Sequence, residues 1–195
     1  MTQRILILQG HPDRQGGHLC HALAQHYAQG ATSADHELRT IDVATLEFPL
    51  LRTRQEWETG ELPTTLVDAQ QAIGWATHLV LFFPLWLGDM PALLKGFLEQ
   101  VARPGFAIAR SDEIGRGRKL LAGRSARVVV TMGMPAVLYR WYFRAHSVKS
   151  LERNILGFAG IAPIDETLVG MVEGLTDAQR RKWFTRLRAL GVKAK

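Results

Sequence analysis

A single cysteine, Cys20, stands in 195 residues. A lone cysteine excludes an internal disulfide framework and suits a reducing compartment, so a cytoplasmic protein is expected. No apolar run approaches the roughly 18 residues that a membrane-spanning helix needs. The N-terminus enters a strand-like segment at once, Arg4-Ile5-Leu6-Ile7-Leu8, without the basic and apolar blocks of a signal peptide. Internal repeats and low-complexity tracts are missing as well. Acidic residues are outnumbered, 18 Asp and Glu against 24 Lys and Arg, and the formal net charge is +6. Such a charge favours solubility and attracts anions such as phosphorylated cofactors. No nucleic-acid-binding motif accompanies it, so nucleic acid is not an expected partner. The chain also lacks G-x-G-x-x-G, a P-loop, and a nucleophile–base–acid constellation. His11, His18, Cys20 and His21 are metal-ligating types. Their H-x-C-H spacing does not fit the common structural sites, and residues 20 and 21 face different sides of a helix, so no metal is expected.

What the chain does have is a hydrophobic content of 47%, enough for one globular domain over residues 1–195 with a sizeable core. Its centre is residues 79–101. Leu79-Val80-Leu81-Phe82-Phe83 reads as a strand buried on both faces and ends at Pro84, which cannot donate to a ladder. A loop follows, Pro84-Leu85-Trp86-Leu87-Gly88-Asp89-Met90, and Pro91 opens a helix that buries Leu93, Leu94, Phe97, Leu98 and Val101. Loops at the carboxyl ends of strands are where open α/β sheets bind ligands. An exposed Trp-Leu pair in such a loop is expected to cover something.

The same strand–loop–helix unit opens the chain. The strand at residues 4–8 feeds His11-Pro12 and Gly16-Gly17-His18, and helical spacing begins at Leu19 and Cys20, ending near Gly30 as a C′ residue. A helix N-terminus with free N–H groups, approached by glycine-bearing backbone, is a ready phosphate site. Cys20 itself reads as a small buried hydrophobe. A second, edge-like strand is expected over 36–43, a surface excursion over 52–65, and an amphipathic helix over 66–77. Residues 103–123 read as a loop or β-excursion, with Arg116, Arg118, Lys119 and Arg124 forming a basic cluster. That cluster is either a solvated loop or a contact to a dinucleotide phosphate. A fourth strand over 126–131 exits into Met132-Gly133-Met134-Pro135. Helix is expected over 147–158, strand over 163–169, and a last helix behind the capping box Thr176-x-x-Gln179. Five alternations of strand and helix argue an α/β doubly wound parallel sheet with helices on both faces.

The pattern P-L-x-x-x-x-x-P-A-x-L-K-G, carried by Pro84, Leu85, Pro91, Ala92, Leu94, Lys95 and Gly96, resembles the NAD(P)H:quinone oxidoreductase family, flavoproteins of flavodoxin-like fold. His11-Pro12, Phe48-Pro49, Gly105-Phe106-Ala107-Ile108, Thr131-x-Gly133 and the run from Ile155 to Ile161 extend the likeness over nearly the whole chain. In the first loop Gly16 and Gly17 replace the family's Ser, and its usual Asn is missing. The grip on phosphate would then come from backbone N–H groups and from His11 and His18.

The resemblance implies a flavin, FMN or FAD with FMN favoured by the compact phosphate loop. His11, Gly16, Gly17, His18, Leu19 and Cys20 would surround its phosphate, and Pro84, Leu85, Trp86, Leu87, Thr131, Met132 and Gly133 its ring. It implies a homodimeric enzyme in which NAD(P)H and a quinone-like acceptor use one place in turn, by a ping-pong mechanism. Tyr139 stands where the family has its Tyr, and His146 lies one position from the family's His, both on the acceptor side. Tyr139 is then either a hydrogen-bond donor to developing charge or a wall residue. Two other readings stay open. One is a flavodoxin-type electron carrier. The other is a regulatory subunit of a potassium-efflux system, the one case in which membrane contact is expected.

Overall fold

The computed structural model describes residues 2–110 and 118–195; Arg116 of the basic cluster lies outside them. In chain order the elements begin with β1 (Arg4–Gln9), α1 (Leu19–Ser33), β2 (Glu37–Asp42), α2 (Arg54–Thr59), α3 (Val67–Trp75), β3 (His78–Pro84) and α4 (Ala92–Val101). They continue with β4 (Ser125–Thr131), α5 (Ala136–Trp141), α6 (His146–Ser150), a π-helical stretch Leu151–Leu156, α7 (Gly157–Ala159), β5 (Ile164–Val169) and α8 (Asp177–Val192). The strands form one sheet in the order β2-β1-β3-β4-β5, every pair parallel. This is the flavodoxin-like order, whose reversal of direction between β1 and β3 opens a crevice at the carboxyl edge.

Alternation along the strands sorts the core into two layers. Ile5, Ile7, Val80, Phe82, Val129 and Val169 face α1 and α8, while Leu6, Leu8, Leu81, Phe83, Val128 and Val130 face the opposite layer. β3 is buried at every position, which is why its sequence is a continuous apolar run. The expected strands and their neighbours form to within a residue or two. The capping box is made in full: Thr176 accepts from the Gln179 backbone, and Gln179 reaches back to the Thr176 N–H.

Four local expectations are corrected. Gly30 does not end α1, which runs to Ser33. A Cβ at Gly30 would lie 2.0 Å from the Arg188 carbonyl oxygen, so glycine is there to let α1 and α8 touch. The excursion 52–65 carries α2, started by the Thr53 hydroxyl, which accepts from Glu56 N–H. The helix expected at 66–77 is tighter, a 3-10 turn Thr64–Leu66 followed by α3. The helix expected at 147–158 is widened into π geometry in its middle, where Gly157 N–H donates to the Glu152 carbonyl. Of the basic cluster, Lys119 donates to the Gly157 carbonyl and Arg124 to that of Gly74 near the end of α3. Cations there complement the helix dipole. No helix among the described residues is long and apolar enough to cross a membrane.

Candidate functional site

β3 and β4 end level, Pro84 pairing with Thr131, and β1 ends beside them two residues earlier, Gln9 pairing with Phe82. Three loops therefore leave the sheet side by side. Backbone bonds tie them down, with Gly10 N–H on the Phe82 carbonyl at 2.7 Å and Leu85 N–H on the Thr131 carbonyl at 2.7 Å.

The first loop folds around His11. Its backbone N–H donates to Gln9 Oε1 at 3.1 Å, and its Nδ1 accepts from Asp13 N–H at 3.2 Å, leaving Nε2 as the ring's second, proton-bearing nitrogen in the neutral state. The His18 ring stacks on it with centroids 3.9 Å apart, and His18 Nε2 meets Asp13 Oδ2 at 2.7 Å. His21, one helical turn beyond His18, brings a third imidazole to 5.0 Å from His11 and 5.7 Å from His18. Burial, and then the cationic character of His18 and His21, push the His11 imidazole down to about 4, against a partial rise from Asp13. His21 is lowered too, chiefly by burial, and both of its ring nitrogens are shut off from solvent without a hydrogen-bond partner among the described residues. The hydrogen bond from His18 holds the Asp13 carboxyl below the usual range.

Gly16 and Gly17 take φ of +70° and +78°, and a Cβ on either would meet nothing within 4 Å. Their backbone thus lines open space before the first turn of α1, whose side chains provide no cap. Cys20 is buried, donates to Gln9 Oε1 at 3.3 Å, and has its thiol pushed up to about 12 by burial, the Thr131 hydroxyl working the other way. It is a packing residue between the β1 and β4 ends, not a nucleophile.

The second loop closes as a two-residue turn. Trp86 N–H donates to the Asp89 carbonyl at 2.8 Å, and Asp89 N–H returns to Trp86 at 2.9 Å. Leu87 and Gly88, its central pair, both have positive φ, 49° and 83°, as a type I′ turn demands. Leucine in that region is strained and rare, and Leu87 is 108% exposed. Trp86 lies edge-on to His11, centroids 5.9 Å apart, and so joins the first and second loops at the crevice. Pro84 is buried and Leu85 partly so. In the third loop Thr131 and Met132 are buried and Gly133 is exposed.

Farther on, the residues expected on the acceptor side separate. Tyr139 is buried in α5, with its hydroxyl 2.8 Å from Ser147 Oγ and accepting from Val148 N–H at 3.4 Å. His146 is exposed at the start of α6. Between them α5 and its end present Val137, Leu138, Trp141, Tyr142 and Phe143 to solvent. The structure thus gathers His11, His18, Cys20, Gly16, Gly17 and Trp86 in one place and leaves Tyr139 turned inward. Two members of the cluster, Gln9 and Asp13, were not singled out from sequence, and His21 stood out only as a metal-ligating type, not as a partner of His11 and His18 at a phosphate loop. The signal for His21 was there, since residues 18 and 21 share a helix face.

Residues 3–190 match the family described as Flavodoxin-like fold. The chain is 31% identical over 139 residues to the FMN-dependent NADH:quinone oxidoreductase 1 of Jannaschia sp., covering 71% of this chain and 68% of that protein. It is 24% identical over 155 residues to the ribosyldihydronicotinamide dehydrogenase-like protein traD of Penicillium crustosum, 67% of this chain but only 57% of that longer protein. Among solved structures, the NAD(P)H:quinone oxidoreductase from Methanothermobacter marburgensis superposes with a TM-score of 0.81 at 23% identity, covering 99% and 97% of the two chains, and so shares the fold. With the adjacent strand ends, the imidazole-lined first loop and the Trp86 turn, these matches place the chain in the flavodoxin-like family of NAD(P)H:quinone oxidoreductases.

Proposed function

We propose that the protein is a cytoplasmic, homodimeric, FMN-dependent NAD(P)H:quinone oxidoreductase, built as one flavin-binding domain. The observation that carries the reading is the Trp86–His11 contact, which joins two loops at the switch point beside open, glycine-lined backbone. The name of the Jannaschia relative supports FMN and a quinone acceptor. The residues fit a phosphorylated flavin: Gly16 and Gly17 leave space for an anion, and the His21 nitrogens are buried without a partner among the described residues.

The flavin, when bound, supplies the two-electron chemistry. This chain's residues bind and orient it. Backbone N–H groups of Gly16, Gly17, His18, Leu19 and Cys20, with the imidazoles of His11 and His18, would hold the phosphate at the positive end of α1. Pro84, Leu85, Trp86, Leu87, Thr131, Met132 and Gly133 would surround the ring. Trp86 and Leu87 would keep water from the ring, which gives the strained, exposed Leu87 a purpose. NAD(P)H and the acceptor would use one place on the flavin in turn, by a ping-pong mechanism. We assign Tyr139 to the wall, because its hydroxyl is bonded inward. His146, exposed, is left as the side chain that offers a proton to the acceptor. α5 and its end expose Val137, Leu138, Trp141, Tyr142 and Phe143, an apolar surface that a second copy of the chain would cover.

The test is to reconstitute purified protein with FMN and with FAD, separate the released flavin by chromatography, and follow NAD(P)H oxidation with a soluble quinone. FMN retention and parallel-line initial-rate kinetics are expected. Protein that binds neither flavin overturns the reading. Size-exclusion chromatography with light scattering should give a dimer, and Trp141→Glu with Tyr142→Glu should give a monomer.

A further inference from the structure

The first loop carries an arrangement the family resemblance does not explain, three imidazoles packed on one another. His18 stacks on His11 at 3.9 Å, and His21 closes the group at 5.0 and 5.7 Å. We infer that His11, His18 and His21 form a proton-coupled phosphate clamp, in which the cluster takes up a proton as the phosphate of the flavin binds. The inference rests on the flavin reading above and names the side chains and the proton that give it specificity for a phosphorylated flavin.

The argument is electrostatic. Three imidazoles this close cannot all carry charge without an anion beside them, because each cation disfavours the next. The opposing carboxylates are few. Asp13, from the same loop, is bonded to His18 at 2.7 Å, and Asp42, at the end of β2, attracts His21. Arg14 is turned away to the Ala44 carbonyl and to Glu47. From the β1 end comes neutral Gln9, from α1 the buried Cys20 thiol, and from the loop after β3 the uncharged Trp86 indole. That loop's own carboxylate, Asp89, accepts from Met90 N–H. Burial already keeps His11 and His21 neutral near pH 7. A phosphate dianion at the N-terminus of α1 reverses the balance, since an adjacent double negative charge favours the protonated ring. His21, its nitrogens shut off from solvent, feels that charge through the stacked cluster rather than by contact. The titration belongs to the cluster, so the proton is not assigned to one ring.

Linkage gives the sign. Binding that takes up a proton tightens as pH falls. Between about pH 8 and 6.5, above the second ionisation of a phosphate monoester near 6, FMN affinity should rise several-fold per pH unit, approaching a limit of about tenfold for one proton. Riboflavin, without the phosphate, should bind with little pH dependence. Isothermal titration of the apoprotein with FMN, in two buffers of different ionisation enthalpy at pH 7, reads the proton directly, and net uptake is expected. His18→Gln with His21→Gln should reduce the uptake and flatten the FMN profile while leaving riboflavin affinity within about twofold. FMN binding without proton uptake, or with the pH profile of riboflavin, overturns the clamp and leaves the flavin site standing. No binding of FMN at any pH overturns both.

Discussion

Gly16 and Gly17, at the carboxyl edge of the sheet, stand in open space with positive φ. Gly30 and Gly191, where the C-terminal ends of α1 and α8 cross toward the amino edge, are crowded. A Cβ on Gly30 would sit 2.0 Å from the Arg188 carbonyl oxygen, and one on Gly191 2.1 Å from that of Tyr27. The two edges hold buried histidines in the same contrast. His11 lies beside an opening among other imidazoles, whereas His78 lies at the start of β3, locked to Ser125 Oγ at 2.7 Å. One edge spends its special residues on accessible backbone and titratable rings. The other uses the same residue types to close the molecule. Fold and ligand site therefore make separable demands, and substitutions at the two edges should fail differently.

The largest effect is expected at the crossing. Gly30→Ala forces a methyl group into backbone that cannot yield without separating α1 from α8. Overpacking of this kind costs typically 1–3 kcal/mol, and contact with backbone belongs at the upper end. For a chain of this size, about 3 kcal/mol lowers Tm by roughly 6–12 °C. Thermal unfolding checks this, and the folded fraction should keep its FMN affinity. A Tm within 2 °C of wild type would mean that the crossing is looser than its geometry implies.

Gly30 also shows where a sequence misleads. Read alone, a glycine after an apolar helical stretch is a C′ residue, because the contact that requires it comes from Arg188, far along the chain. The buried strands were legible because burial on both faces writes a continuous apolar run, as in residues 79–83. The short α5 was not, since its exposed Val137, Trp141 and Tyr142 break the pattern of a polar outer face. In the site, Gly16-Gly17 and Trp86-Leu87 stood out as residues in costly places. As a cluster the histidines stood out only as metal-ligating types at the wrong spacing, because their packing depends on a loop turning His11 back over His18, and only the spacing of 18 and 21 hinted at it.

The next effect contrasts the histidines. Burial, and then Arg127, push the His78 imidazole down to about 4. Above about pH 6.5 it is neutral in both folded and unfolded states and contributes nothing. Between pH 6.5 and 4 the unfolded chain binds the proton and the folded chain does not, so stability falls with pH, by on the order of 3 kcal/mol at pH 4. Urea unfolding at pH 7.5, 5.5 and 4.5, wild type against His78→Gln, isolates this slope. Saturating FMN should offset the matching contribution of His11 and leave that of His78 untouched. Equal slopes for wild type and variant would remove His78 from the account.

At the open edge, Gly17→Asp should spare the fold and damage the site. Nothing blocks the side chain, and Asp tolerates positive φ at a cost of about 1 kcal/mol. Its carboxylate would stand against the proposed phosphate, and like charges a few ångströms apart near a surface repel by roughly 1–4 kcal/mol. FMN affinity should drop by about tenfold or more by fluorescence titration, with riboflavin nearly unaffected. Unchanged FMN affinity in the folded variant would move the phosphate away from this loop.

The smallest effect is expected at Tyr139, and it decides whether α5 belongs to the chemistry or to the wall. From sequence a phenol after β4 could donate to charge developing on an acceptor, and its loss would slow turnover. The folded chain spends that hydroxyl elsewhere, 2.8 Å from Ser147 Oγ and accepting from Val148 N–H. Tyr139→Phe then leaves a buried hydroxyl and a backbone N–H short of a partner, a loss of about 1 kcal/mol. Stopped-flow on the FMN-loaded protein should show reduction by NAD(P)H and re-oxidation by quinone within about twofold of wild type, beside a small fall in Tm. Ser147→Ala should lower Tm by a similar amount, and the double variant should lose less than the sum, as expected for two groups that share one bond. Slowing of either half-reaction by tenfold or more, with Tm unchanged, would instead mean that the phenol turns outward during turnover and that the closed wall of α5 opens to admit the acceptor.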